Sequence, residues 1–417
     1  MIKFEKYTLD NGLTLIVHPD PSTTLATLNI LYNVGARDEN PTQTGFAHLF
    51  EHLMFGGSEH IPNYDGVAQS IGAENNAFTS NDITNYYLSF PSNNLETALW
   101  LEADRMHQLS FSQKSLEVQQ GVVVEEFKQR YLNQPYGDAW LKLRPLAYKK
   151  HPYKWATIGK NIAHIQDARL QDVEDFFYTH YRPNNAIMVV AGNVNAQEVL
   201  ELVKKWFGDI PKGAPRPAAT QKQLPQETAQ KAPRRKIIKT KLPSAMLYKA
   251  YHIVARYHPS FYATDLISDV LGRGKSSRLH QSLVKNQKLF ANISAYISGD
   301  IDAGLLIIQG QIANGIPTEQ AEAALEAEIN GMKQQIISDK ELQKIKNQAE
   351  ASTTFNESNT LNVAIQLAYH ELLGDAEGIN TELEHYQKVT SKDIYDAAQA
   401  ILQPTNSSTL IYEPVLK

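Results

Sequence analysis

Five prolines fall at positions 211, 215, 217, 225 and 233, among Ala, Gln, Thr and Lys. Proline fixes φ and lacks the N–H that a helix interior or a central strand requires. A stretch of this kind can cross a surface as a linker but builds no core. It divides the chain into an N-terminal domain, residues 1–210, a linker, 211–233, and a C-terminal domain, 234–417. Each part has the size of an ordinary domain. Hydrophobic residues make up 42% of the chain, enough to fill two cores.

The two parts end alike. The first has Leu170-Gln171-Asp172-Val173, then Tyr181-Arg182-Pro183-Asn184, then an apolar run over 187–191. The second has Ser391-Lys392-Asp393-Ile394, then Leu402-Gln403-Pro404-Thr405-Asn406, then a run over 409–412. In both, the aspartate lies 11 residues before the proline. The pattern predicts a capped helix, a turn and a buried strand, used twice. At the start, a strand, a turn at Asp10-Asn11-Gly12 and a strand over 13–17 are expected. Further strands are predicted over 25–34, 83–90, 246–253 and 303–312. Helices are predicted over 44–55, 94–108, 111–132, 318–337 and 339–353. Strands and helices do not alternate one by one. The expected class is therefore α+β: two homologous, duplicated α/β-sandwich domains, each a mostly antiparallel sheet with helices packed on it.

Composition removes several functions. The chain has no cysteine, so disulfides, thiolate nucleophiles and iron–sulfur clusters are excluded. Any metal must be held by His, Asp or Glu. No apolar run approaches the roughly 18 residues of a membrane span. A formal charge of −5 gives no general attraction to nucleic acid. The basic cluster Lys231, Arg234, Arg235 and Lys236 is too short to change that and reads as a solvated face. Gly272-Arg273-Gly274-Lys275-Ser276 lacks the spacing of a phosphate loop. The first residues contain no apolar stretch of the kind a secretory leader uses, so the expected compartment is the cytoplasm, with the periplasm or another compartment as the alternative.

The most informative string is His48-Leu49-Phe50-Glu51-His52 within a predicted helix. Histidines at i and i+4 project from one helix face and can share a cation. Glu51 lies beside them, within reach of a water on that metal. The order H-x-x-E-H inverts the H-E-x-x-H string of other zinc hydrolases. A catalytic zinc usually takes three protein ligands and one water. With cysteine absent, a carboxylate from another helix is the natural third ligand. Glu125 and Glu126, after the apolar run 122–124, are candidates, and their position alone does not choose between them.

The sequence resembles the pitrilysin/insulinase family of zinc metallopeptidases, and within it the half-length members related to the mitochondrial processing peptidase. The resemblance runs in family order through Leu9-Asp10-Asn11-Gly12, Gly35-Ala36-Arg37-Asp38-Glu39 and Gly45-Phe46-Ala47-His48 to Gly56. It continues through Gly72 to Asp82, Val123-Val124-Glu125-Glu126, Tyr181 to Asn184, and Lys275-Ser276-Ser277-Arg278-Leu279. The resemblance implies that His48, His52 and Glu126 bind Zn2+, with Glu125 the near miss, and that Glu51 is the general base. It also implies that Asn76, Ala77, Phe78 and Thr79 form a sheet edge to which a peptide substrate adds as an extra strand.

Two departures from the family pattern stand out. Gln119 occupies a position seven residues before the ligand where active members often carry glutamate. Val284 and Ala291 align with an arginine and a tyrosine that hold the substrate carbonyl in active members; Arg278 and Tyr296 are close in sequence but out of register. The expected partner is therefore a second family subunit that supplies the arginine–tyrosine pair, with a homodimer as the other arrangement. Aligning Thr264, Ile267 and Ser268 with His48, Glu51 and His52 makes the second domain catalytically silent. The alternative function is an inactive peptide-binding or scaffold subunit.

Overall fold

The structure is a computed structural model and describes residues 1–215, 217–218 and 221–415. Linker positions 216, 219 and 220 and the last two of the C-terminal domain, 416 and 417, lie outside the described residues. The chain separates into two units. The first comprises Met1–Lys128, Trp155–Gln223 and Thr353–Glu382; the second comprises Gln129–Lys154, Leu224–Ser352 and Leu383–Lys417. The linker thus changes unit between Gln223 and Leu224. Two segments away from it, Gln129–Lys154 and Thr353–Glu382, each join the unit built mainly from the other part of the sequence.

The first unit is built on a six-stranded sheet. Its strands are β1 (Glu5–Thr8), β2 (Thr14–Pro19), β3 (Leu25–Tyr32), β4 (Glu74–Thr79), β5 (Thr84–Pro91) and β6 (Ala186–Gly192), in the order β1-β2-β6-β3-β5-β4. Only β2 and β6 run parallel; the remaining pairs are antiparallel. Every residue of β6 is buried, and so are Ala26 to Tyr32 of β3. A strand buried at successive positions must be covered on both faces. The helices Phe46–Leu53, Leu95–His107, Ala196–Phe207 and Thr360–Leu373 pack on this sheet. The last comes from the exchanged C-terminal segment and lies along β3 and β6.

The second unit is built on β7 (Arg234–Thr240), β8 (Met246–His252), β9 (Phe290–Ile297), β10 (Leu305–Ile312) and β11 (Ser407–Pro414), in the order β7-β11-β8-β10-β9. Here β7 and β11 are the parallel pair. Alternation along the strands divides its core in two. Leu247, Tyr251, Leu306, Ile308 and Ile411 pack with residues of the helices Phe261–Gly272, Thr318–Gln334 and Ser391–Ile401. Tyr248, Ala250, Leu305, Ile307, Leu410 and Tyr412 face the other way, onto Ala139, Leu143 and Ala147 of the exchanged helix Ala139–Ala147.

Strands β2-β6-β3-β5-β4 and β7-β11-β8-β10-β9 share one order and one pattern of directions, as a duplication requires. The repeated ends have the expected form. Helices Leu170–His180 and Ser391–Ile401 begin where Asp172 and Asp393 accept the backbone N–H of Arg169 and Thr390. Each is followed by a short 3-10 turn, Pro183–Asn185 or Pro404–Asn406, and then by β6 or β11.

Predicted elements differ from observed ones chiefly at their ends. The helix predicted over 111–132 is α-helical only for Gln113–Phe127 and continues as a wider π turn over Lys128–Leu132. Arg234, Arg235 and Lys236 of the basic cluster lie on edge strand β7, where Lys and Arg discourage pairing with another chain.

Candidate metal centre

The helix Phe46–Leu53 has Gly45 as its N-cap, with φ +92°. A side chain there is disfavoured by the left-handed backbone, and its Cβ would lie 2.8 Å from the Ile158 carbonyl oxygen. The usual Ser, Thr, Asp or Asn cap is therefore shut out. Its place is taken by Glu39, which is buried. Glu39 Oε2 accepts the Gly45 N–H and Oε1 the Ala47 N–H, both at 2.9 Å. Burial pushes the Glu39 carboxyl up to about 8, while the two N–H bonds pull the other way. Sequence reasoning gave Glu39 no role; the only signal was its place in the Gly35–Glu39 segment.

Leu49, Phe50 and Leu53 are buried, which turns His48, Glu51 and His52 toward the less covered side of the helix. The imidazoles meet edge to face, with ring centroids 4.9 Å apart. The helix Gln113–Phe127 packs beside them and contributes Glu126. Glu126 Oε2 lies 3.6 Å from His48 Nε2 and 3.4 Å from His52 Nε2. Tetrahedral ligands at about 2.1 Å from a zinc ion are separated by about 3.4 Å, so the donor set and its spacing fit zinc. Among the described residues this is the one group of three or more His, Asp or Glu side chains so arranged. Glu125 points elsewhere: its carboxylate is exposed and pairs with Lys128 at 2.6 Å.

Glu51 Oε2 accepts the Thr79 hydroxyl at 2.6 Å. Burial holds the Tyr86 and Tyr181 hydroxyls above the ordinary phenol range, and the Glu51 charge adds to this. Thr79 ends β4, which contains Asn76, Ala77 and Phe78 and pairs only with β5 at the sheet edge. Glu74, Asn76 and Phe78 are exposed, while Asn75, Ala77 and Thr79 are half-buried. The four residues expected at an edge are therefore at one, and that edge is joined to the metal helix through the Thr79–Glu51 bond. The loop before β5 is tied down by the buried ion pair Arg37–Asp82, at 3.1 Å.

Gln119 is half-buried about two turns before Glu126 on the same helix. Gln120 beside it donates to the Ile165 and Ala168 carbonyls at 2.8 and 2.9 Å, fixing the helix to the following segment. Val284 lies in the turn His280–Asn286 against the core of the second unit, and Ala291 is exposed on β9. Neither side chain can donate a hydrogen bond. Arg278 is held by both oxygens of Glu341, at 2.9 and 2.6 Å, and the Tyr296 hydroxyl donates to Gln309.

Residues 14–154 match the family described as Insulinase (Peptidase family M16), and residues 167–349 match its Peptidase M16 inactive domain. The zinc protease PqqE of Helicobacter pylori is 30% identical over 99% of this chain and 93% of its own length. The mitochondrial-processing peptidase subunit beta of Caenorhabditis elegans is 27% identical over 49% of this chain and 45% of its own. The crystal structure of a protease from Helicobacter pylori superposes with a TM-score of 0.92 at 29% identity, covering 99% of this chain and 100% of that one. With zinc proteases among its relatives and His48, His52 and Glu126 spaced for that ion, the chain belongs to the insulinase family of peptidases, M16, in its half-length form.

Proposed function

We propose that the chain is the catalytic subunit of a zinc metallopeptidase that hydrolyses unfolded peptides as an endopeptidase or oligopeptidase. The observation that carries this reading is the convergence of His48, His52 and Glu126 beside Glu51, at the end of an open sheet edge. Bound zinc supplies Lewis acidity toward a scissile carbonyl and lowers the pKa of a coordinated water toward about 7. Glu51 takes the proton of the attacking water and returns it to the leaving amine. Thr79 holds one Glu51 oxygen and so orients the carboxylate. An extended peptide pairs with Asn76–Thr79 through its main chain, which favours unfolded segments over particular sequences.

Val284 and Ala291 cannot donate a hydrogen bond to the developing oxyanion, a loss worth roughly 2.7–4 kcal/mol per donor in other enzymes. The arginine–tyrosine pair then comes from a second family subunit in a heterodimer. A relative named as a subunit, the mitochondrial-processing peptidase subunit beta, supports a two-chain assembly. Gln119, Val284 and Ala291 favour a second reading, an inactive peptide-binding or scaffold subunit.

Zinc analysis and a mixed-peptide cleavage assay on wild type and Glu51→Gln, with and without partner subunit, separate the two. The peptidase reading predicts that Glu51→Gln keeps its zinc and loses roughly 10²–10⁴-fold in rate. Zinc-loaded wild type that cleaves nothing, even with the partner present, would establish the scaffold instead.

A further inference from the structure

We infer that Glu39 is the positioning residue that holds His48 in register with His52 for the metal. The inference concerns zinc binding by this chain and stands apart from whether peptides are cut.

The helix that carries both histidines has only 8 residues, Phe46–Leu53. A helix of that length is not stable by itself, and its first N–H groups have no intrahelical acceptor. His48 is the third residue of the helix, within that first turn. His52 is in the last. If the first turn frays, His48 leaves the i, i+4 relation while His52 stays, and the two imidazoles no longer share a cation.

Gly45 cannot supply a capping side chain, because its positive φ and the close Ile158 carbonyl leave no room for one. Glu39 reaches forward six and eight residues and fixes two N–H groups at once, those of Gly45 and Ala47, the latter directly before His48. Its own approach is set from both sides. Asp38 Oδ2 accepts the Gly35 N–H at 3.0 Å, and the Trp155 indole donates to the Ala36 carbonyl at 2.8 Å.

The duplicated helix makes the contrast. In the second unit Phe261–Gly272 begins after Ser260, which makes no side-chain capping bond; its N–H and hydroxyl contact the exposed His258. That helix has 12 residues, and Thr264 and Ser268, which the sequence alignment sets against the two histidines, are buried. The buried glutamate cap accompanies the copy that must present two ligands.

The test is zinc affinity by chelator competition, alongside the melting temperature of the zinc-free protein. Glu39→Gln keeps the shape and one acceptor; Glu39→Ala removes both. A core variant of the second unit, Leu266→Ala, serves as a control that destabilises without touching the metal helix. The expected result is zinc binding weakened about tenfold or more in Glu39→Gln, the range typical of residues that orient ligands, and more in Glu39→Ala. Leu266→Ala should bind zinc within about twofold of wild type. If Glu39→Ala does not fold, Glu39→Gln decides. Zinc affinity within about twofold of wild type in Glu39→Gln would overturn the inference. An equal loss in Leu266→Ala would also overturn it.

Discussion

The two units carry the same strand order and start the same helix after the same strand, yet only one presents ligands. Phe46–Leu53 shows His48, Glu51 and His52 to a neighbouring helix that brings Glu126. Thr264, Ile267 and Ser268 of Phe261–Gly272, which the sequence alignment sets against these three, are all buried, with the Thr264 hydroxyl turned back onto the Ser260 carbonyl. The first helix is short and shielded on one side; the second is buried along most of its length, from Phe261 and Ala263 through Gly272. Duplication has kept the scaffold in both copies. In the second, small and apolar side chains have turned the ligand face into packing surface.

This contrast can be broken in several ways, from large effects to small. Glu126→Gln should abolish stoichiometric zinc binding at micromolar metal, because one of three ligands is lost; metal analysis after gel filtration checks this. Placing histidines at Thr264 or Ser268 should not create a second site. Each would overpack a close-fitted core and cost about 1–3 kcal/mol in a denaturant titration, with zinc stoichiometry unchanged.

A pH experiment separates the units further. Burial pushes Asp269 up to about 6, against an ordinary 3.8. Its folded-state pKa is above its unfolded one, so the folded protein holds the extra proton. Stability is then lost as pH rises from about 4 through about 6. Asp269→Asn should remove that loss and raise stability at pH 7 by on the order of 1 kcal/mol, since its pairing with Arg273 at 3.0 Å is given up as well. Thermal melts of the zinc-free protein across pH 4–7 would show the difference. The smallest effect belongs to Glu125→Gln, which should leave zinc binding unchanged and cost less than about 0.5 kcal/mol, as expected for an exposed pair.

The metal helix was legible because ligand spacing is a property of one helix, and periodicity alone puts His48 and His52 on one face. The third ligand was legible only down to two neighbours. Glu125 and Glu126 differ by 100° around their helix, and which one meets the histidines depends on how two helices pack. Family resemblance chose Glu126, and the coordinates put that residue at the imidazoles.

Strand β4 is different again. Its sequence, Glu74-Asn75-Asn76-Ala77-Phe78-Thr79, has no apolar alternation, because an edge strand with open faces needs none. The exchanged segments 129–154 and 353–382 were invisible for a related reason. Their amphipathic patterns show that a face must be covered but not which sheet covers it. Glu39 was missed because capping is usually sought at the residue before a helix, and here the acceptor arrives from six residues upstream.

The most direct test of the central claim is zinc K-edge absorption on the zinc-loaded chain. The account predicts four-coordinate zinc with two imidazole nitrogens and one carboxylate oxygen from the protein, at about 2.0–2.2 Å. Coordination by a single imidazole, or by oxygen alone, would contradict it.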